Sequence, residues 1–319
     1  MSELVFPECV SVVDSHTEGG PTRVIVDGWP MPSGTTMAER QEDLRRRFSH
    51  LQRAVVGEPR GHDAVMGALL TPPAEPGSLT GVIFFDGAGD IGMCGHGLIG
   101  VVRTLEHLGR LAPGSVHIDT PVGTVKVELA PDGAVTIEIG PARCPARDVP
   151  LDVPGVGRIV GDVAWGGYWF FLARLPGITL ELAHVAELKD KAIRIRDALR
   201  TKGVTGDDGA AIDNVQLFGP ARRQDADSRN FVLFPGDSFD RSPCGTGTSA
   251  RMAALHARGL LRIGQPWRQE SITGTLFTGW LTRDHELLIP HIRGRAFVTG
   301  RGSLFFNPAD ELRGGLPRD

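Results

Sequence analysis

"VIFFDGAGDIGMCGHGLIGVVRTLEHLGRL", residues 82 to 111, lies over "VLFPGDSFDRSPCGTGTSARMAALHARGLL", residues 232 to 261, without a gap at an offset of 150. Val82 falls on Val232, Phe84 on Phe234, Asp90 on Asp240, Cys94 on Cys244, Gly95 on Gly245, Gly97 on Gly247, Gly109 on Gly259 and Leu111 on Leu261. The shared pattern is a strand, a loop, then Cys-Gly-x-Gly opening a helix that stops at a glycine fifteen residues after the cysteine. A repeat of this kind decides the architecture, because each half must be one copy of the same supersecondary unit.

The first of these helices is apolar around most of its circumference, with Leu98, Ile99, Val101, Val102, Leu105 and Leu108. Such a helix belongs inside its domain rather than on a surface. The second is alanine-rich (Ala250, Ala253, Ala254) and admits close packing from several sides. Strand-like segments surround both: "VSVVDSH", "TRVIVDG", "VTIEIG", "VAWGGYWFFLA" and "RAFVTGRGSLFF". After each repeat comes a further strand pair, "VHIDTPVGTVKVEL" and "ESITGTLFTGWL", with Gly123-Thr124 and Gly274-Thr275 one residue out of register.

Two more helices are expected, near 37 to 50 (Leu44, Phe48, Leu51) and 180 to 200 (Leu182, Val185, Leu188). The expected fold class is α+β, two like domains each wrapping strands around a central helix. The join is placed in the Pro/Gly-rich "RDVPLDVPGVG", so that 1–149, completed by 298–319, forms one domain and 150–297 the other.

Composition narrows the function. The chain has 319 residues, 41% hydrophobic content, 42 glycines and a net charge of -4, which describes a globular protein with many turns. Its one basic run, Arg45-Arg46-Arg47, sits on an expected helix and reads as a solvated face, so no nucleic-acid partner is expected. No apolar run approaches the ~20 residues that span a bilayer, and the N-terminus has no basic-then-apolar leader. A cytoplasmic protein without a membrane partner is the expectation, as a monomer or homodimer. Four dispersed cysteines, Cys9, Cys94, Cys144 and Cys244, make neither a disulfide framework nor a zinc pattern, and no metal is expected.

Gly95-His-Gly97-Leu-Ile-Gly100 also fits the G-x-G-x-x-G fingerprint of dinucleotide binding, with Asp119 at a fair distance for a ribose contact. Eight residues, 87 to 94, separate the preceding strand from the first glycine, whereas the nucleotide turn follows its strand directly. A near-match recurs at Gly245-Thr-Gly247-Thr-Ser-Ala250, where no acidic residue follows at that spacing on a convincing second strand. A nucleotide-binding oxidoreductase is therefore the reading from a different class. A dinucleotide site has no use for a cysteine before the first glycine, twice.

Two thiols at two helix starts do have a chemistry. The unpaired N–H groups and the dipole favour a thiolate there and attract a carboxylate ligand. If the halves close about a pseudo-twofold axis, one thiolate takes a proton from one face of a carbon and the other thiol returns one to the opposite face, in the cleft between domains. That inverts a stereocentre with no cofactor, since cysteine at a pKa near ~8.5 serves as base or acid. For Cys9 and Cys144, which lack the motif, simple packing is expected.

"DSHTEGGPTRVI" (14–25), "GMCGHG" (92–97) and "DRSPCGTGTSA" (240–250) resemble the proline racemase family, as do "RNFVLFPG" and the "RGRAFVTGRGSLFF" tail. The resemblance implies the diaminopimelate epimerase-like fold, with the C-terminal segment returning to the first domain. The family contains proline racemases, 4-hydroxyproline 2-epimerases and trans-3-hydroxy-L-proline dehydratases. The dehydratases usually carry threonine where Cys244 stands, and "EPRGHDAVMGALLTPP" and "DADSRNFVLFPGDSFDRSPCGTGTSA" look most like bacterial 4-hydroxyproline epimerases. The resemblance further implies catalytic Cys94 and Cys244, carboxylate contacts from Gly95, His96, Gly245 and Thr246, and Asp240 near the ring nitrogen of a proline derivative. Asn214 stands where many epimerases have a substrate-contacting histidine, and Asp90 is expected to oppose ionisation of Cys94 by like charge.

Overall fold

The computed structural model describes residues 5–316. In chain order the first strands and helices are β1 (Cys9–Thr17), β2 (Gly20–Asp27), α1 (Met37–Val56), β3 (Met66–Thr71), β4 (Thr80–Asp86), β5 (Gly89–Ile91), α2 (Gly95–His107), β6 (Gly114–Thr120), β7 (Gly123–Leu129) and β8 (Ala134–Glu138). There follow β9 (Arg143–Val153), β10 (Gly157–Trp165), β11 (Trp169–Ala173), α3 (Val185–Lys202), β12 (Asn214–Gly219), β13 (Ser228–Leu233), α4 (Gly245–Ala257), β14 (Trp267–Glu270), β15 (Leu276–Asp284) and β16 (Leu287–Phe305). The chain divides into one unit made of residues up to Ile137 and from Arg295, and another made of Glu138–Gly294.

The fold is α+β, and the repeat runs through the whole of both units. In the first, β1–β2 pair antiparallel, β2–β3 parallel, β3–β4 antiparallel, β4–β6 parallel, β6–β7 antiparallel and β7–β8 antiparallel. The second repeats that series in the same order through β10–β11, β11–β12, β12–β13, β13–β14, β14–β15 and β15–β16. One further strand lies outside the first of each series: residues 296–305 of β16 against β1, and β9 against β10.

Three boundaries differ from the sequence expectation. The units divide at 137/138 rather than 149/150, because the Pro/Gly-rich stretch is mostly strand β9, held along β10. The returning segment begins at Arg295 rather than 298, inside β16. "VAWGGYWFFLA" is a hairpin rather than one strand, since Gly166 and Gly167 turn the chain between Trp165 and Trp169, and Gly167 has φ +108°.

Each unit places its cysteine helix on a sheet face opposite a second helix. In the first unit, α1 is closed by a capping box, with Thr36 accepting from the Glu39 N–H and Glu39 reaching back. It runs past residue 50 to Val56 because Leu51, Ala54 and Val55 continue its buried stripe. On the other face, Leu98, Ile99, Val101 and Val102 of α2 are fully buried. A Cβ on Gly100 would stand 3.0 Å from Ser15 and Thr22, so that glycine lets α2 lie close on β1 and β2. In the second unit, α3 begins at Val185 after a 3-10 turn, and buries Leu188, Ala192, Ile195 and Leu199 with Val215 and Leu217 of β12. Ala250 and Ala254 of α4 pack with Ala164, Phe170, Leu172 and Val232.

Candidate active site

Cys94 is the N-cap of α2, 8% exposed, with ordinary extended backbone at φ -128°. The Gly97 N–H donates to its sulfur at 3.4 Å, the bond that an N-cap oxygen would otherwise accept. The His96 ring lies beside the same sulfur, Nδ1 at 3.5 Å. Two residues of the "DSHTEGG" stretch hold this corner: Thr17 Oγ1 donates to the His96 carbonyl at 2.7 Å, and a Cβ on Gly20 would stand 3.0 Å from the ring. Arg23 anchors that stretch by a two-pronged pair with Asp14 and bonds to the Val55 and Arg60 carbonyls.

Cys244 caps α4 in the same way, with the Gly247 N–H donating to its sulfur at 3.3 Å. The two caps differ in backbone. Cys244 has φ +61° and ψ 105°, a conformation a non-glycine residue adopts at a cost of about 1–3 kcal/mol. Such strain is found where a functional atom must be aimed. Cys244 is 2% exposed, and Thr246 Oγ1 lies 3.6 Å from its sulfur. Burial pushes the Cys244 thiol well up, the negative charge of Asp240 adds to this, and the Thr246 hydroxyl and Gly247 N–H pull the other way.

Asp240 lies at the entry to α4. Its Oδ1 accepts from the Ser242 N–H and hydroxyl, both at 2.8 Å, and the Ser242 hydroxyl accepts from the Cys244 N–H at 3.3 Å. Asp240 thus forms the turn that enters α4, and its charge acts on the sulfur of Cys244. Its repeat partner Asp90 accepts from Gln52 Nε2 of α1 at 2.5 Å. Burial pushes the Asp90 carboxyl up, toward its neutral form, which works against the like-charge effect expected of it on Cys94. In the second half of the repeat, Asp240 acts on Cys244 by that like-charge effect.

Gly245 and Thr246 form the first turn of α4, where the leading N–H groups of a helix have no acceptor within it. The β10–β11 turn closes over them: a Cβ on Gly166 would stand 2.2 Å from the Thr246 carbonyl oxygen and 2.4 Å from the Ala250 nitrogen. Asn214, expected to face a ligand, donates its side-chain amide to the Trp169 carbonyl at 2.9 Å. The first unit thus gathers Cys94, Gly95 and His96 at the start of α2, and the second gathers Asp240, Cys244, Gly245 and Thr246 at the start of α4.

Sequence reasoning missed Gln216. It is fully buried on β12, and neither amide atom has a hydrogen-bond partner among the described residues, a cost of about 1–3 kcal/mol. The available signal was a glutamine inside the otherwise apolar "VQLF". Of the remaining thiols, Cys9 and Cys144 lie outside the motifs, and burial with Asp162 nearby pushes Cys144 up to about 11. Among the described residues no group of three or more His, Cys, Asp and Glu side chains is placed to hold a metal ion.

Residues 12–317 match the family model for proline racemase. A protein of Chromobacterium violaceum named 4-hydroxyproline 2-epimerase is 47% identical over 307 residues, 96% of this chain and 99% of that one. One of the same name from Xanthomonas campestris is 48% identical over 96% and 98% of the two chains. The crystal structure of a hydroxyproline epimerase from Agrobacterium vitis, with bound trans-4-hydroxy-L-proline, superposes with a TM-score of 0.84 at 26% identity, covering 98% of this chain and 96% of that one.

Proposed function

The chain belongs to the proline racemase family, and from that we propose that it is an isomerase that inverts the α-carbon of 4-hydroxyproline, trans-4-hydroxy-L-proline to cis-4-hydroxy-D-proline. The observation that carries the reading is the same one in both units: a cysteine sulfur at a helix N-cap, accepting the N–H of the glycine three residues on. The names of relatives 47–48% identical support the substrate.

One sulfur, as thiolate, takes the α-proton and becomes a thiol. The electron pair left on carbon spreads into the substrate carboxylate, whose growing charge is met by helix-start N–H groups. The other thiol then gives its proton to the opposite face and becomes the thiolate. The reverse reaction uses the same two groups with roles exchanged. Bonds and charge balance with one proton lost and one gained, so the chemistry asks for no cofactor. His96 beside Cys94 supplies an electrostatic partner for a thiolate. Gly95, Gly245 and Thr246 serve the carboxylate, and Asp240 the ring nitrogen. In this reading the enzyme works in the cytoplasm as a monomer or homodimer; no helix among the described residues is long and apolar enough to cross a membrane.

The test is incubation with trans-4-hydroxy-L-proline in D2O, followed by chiral chromatography and NMR. The expected product is cis-4-hydroxy-D-proline deuterated at the α-carbon, abolished by Cys94→Ala or Cys244→Ala. Absence of α-exchange with this substrate and with a panel of proline derivatives overturns the proposal. Loss of water from trans-3-hydroxy-L-proline, giving a ketimine, is the signature of the dehydratase alternative.

A further inference from the structure

β12 presents alternate faces. Val215 and Leu217 belong to the cluster under α3, while Gln216 and Phe218 turn to α4: Phe218 lies 3.7 Å beneath the Arg251 guanidinium, and Gln216 lies against Gly247. A Cβ on Gly247 would stand 2.3 Å from Gln216 Oε1 and 3.1 Å from the Cys244 sulfur. The carboxamide and the sulfur therefore both lie against Gly247, whose lack of a side chain lets the amide come this close. In the first unit a Cβ on the equivalent Gly97 would stand 3.2 Å from the Cys94 sulfur and 2.9 Å from the Phe84 ring. The repeat supplies an amide to one sulfur and a hydrocarbon edge to the other.

We propose that Gln216 is a positioning residue for Cys244: its buried carboxamide accepts from the S–H when the sulfur is protonated and, turned over about its last torsion, donates N–H to the thiolate. The inference deepens the proposed two-thiol reaction, in which Cys244 must be acid in one direction and base in the other. An amide suits that alternation because it carries both a donor and an acceptor at the same reach, and the two ends exchange by a half-turn. In this structure neither amide atom of Gln216 makes a hydrogen bond to the Cys244 sulfur or to another described residue, so a turn of the side chain toward the sulfur satisfies a group otherwise buried without a partner. The groups facing the sulfur are Asp240, which opposes it, Thr246 and Gly247, already counted, and the apolar Ala164, Phe170, Leu172 and Val232 from β10, β11 and β13.

The test reads the sulfur without substrate. In a protein with Cys9, Cys94 and Cys144 replaced by alanine, the rate of alkylation of Cys244 by iodoacetamide is followed against pH by mass spectrometry; its midpoint does not depend on how accessible the sulfur is. Gln216→Leu and the unbranched Gln216→Met are each expected to move the midpoint to higher pH by about one pH unit, the loss of a hydrogen bond to a charged group. Gln216→Glu is expected to move it further, by adding a second negative charge. In the otherwise intact enzyme the Leu and Met variants should lose about tenfold in kcat/KM with KM little changed. For the unsubstituted protein, the Gln216 side-chain amide resonances should follow pH with the Cys244 midpoint, and stop doing so in Cys244→Ser. A midpoint unmoved in folded Leu and Met variants, or amide resonances indifferent to pH, overturns the proposal. Failure to turn over any proline derivative overturns the epimerase reading while leaving this measurement intact.

Discussion

Gly166→Ala is a one-methyl change in a turn that packs on the first turn of α4, and it should disturb the setting of Cys244. The added carbon would stand 2.2 Å from the Thr246 carbonyl oxygen and 2.4 Å from the Ala250 nitrogen, more than an ångström inside ordinary contact. Both obstacles are backbone atoms of α4, so no side chain is available to swing away. Either the β10–β11 turn moves, against the Trp165–Trp169 pairing and the Gly166 N–H bond to the Tyr168 carbonyl, or the first turns of α4 do. Overpacking of a well-filled site costs about 1–3 kcal/mol, and a backbone-on-backbone clash belongs at the upper end. For a unit of this size, ~3 kcal/mol lowers Tm by roughly 6–12 °C. If α4 gives way, a displacement near 1 Å at Cys244 costs on the order of 100-fold in kcat/KM. Calorimetry and initial rates on 4-hydroxyproline read the two effects. Gly140→Ala is the control, because its added carbon meets no atom within 4 Å, and it should stay within about 0.5 kcal/mol of the parent. A Gly166→Ala protein with parental Tm and rate would falsify the packing argument.

Asp240→Asn keeps the acceptor that Ser242 uses but removes the charge that adds to burial in holding the Cys244 thiol up. The alkaline limb of the kcat/KM profile belonging to Cys244 should therefore move to lower pH, read from rates at a series of pH values. The Arg229–Glu270 pair is buried at 3.2 Å, and Glu270 also accepts from the Arg222 N–H. Glu270→Leu strands a buried guanidinium and should cost about 3–5 kcal/mol by urea unfolding. Thr36→Ala removes the cap of α1 and should cost about 1 kcal/mol in the same assay, with kcat/KM unchanged.

What the sequence made legible was what short-range pattern can carry. Cysteine followed by glycines at a helix start, the apolar girdle of α2 and the closing glycines all act within a few residues of themselves, and the 150-residue offset made them visible twice. What it hid depends on distant partners. Gln216 reads as one polar residue in a strand until β12 is laid along α4. The left-handed backbone of Cys244 has no sequence marker, since Cys94 in the same motif is extended. Asp90 and Asp240 are equivalent in the repeat, yet one is taken up by Gln52 of α1 and the other by the turn entering α4. The helix at 185 began later than expected because residues 182–184 spend a turn in 3-10 geometry.

The pairing of residues 296–305 with β1 also sets a timetable for synthesis. The ribosome makes β1 before Glu138–Gly294, but the strand that covers its outer edge only after it. Translation at ~5–20 residues per second leaves that edge open for tens of seconds, roughly 15–60 s. Glu138–Gly294, although second in the gene, holds all its own strands and is complete first. During that interval the nascent chain carries an uncapped strand edge of the kind that recruits other chains. Chaperone demand in cells should therefore fall when the codons between β8 and residue 305 are translated faster, without any change in the folded enzyme.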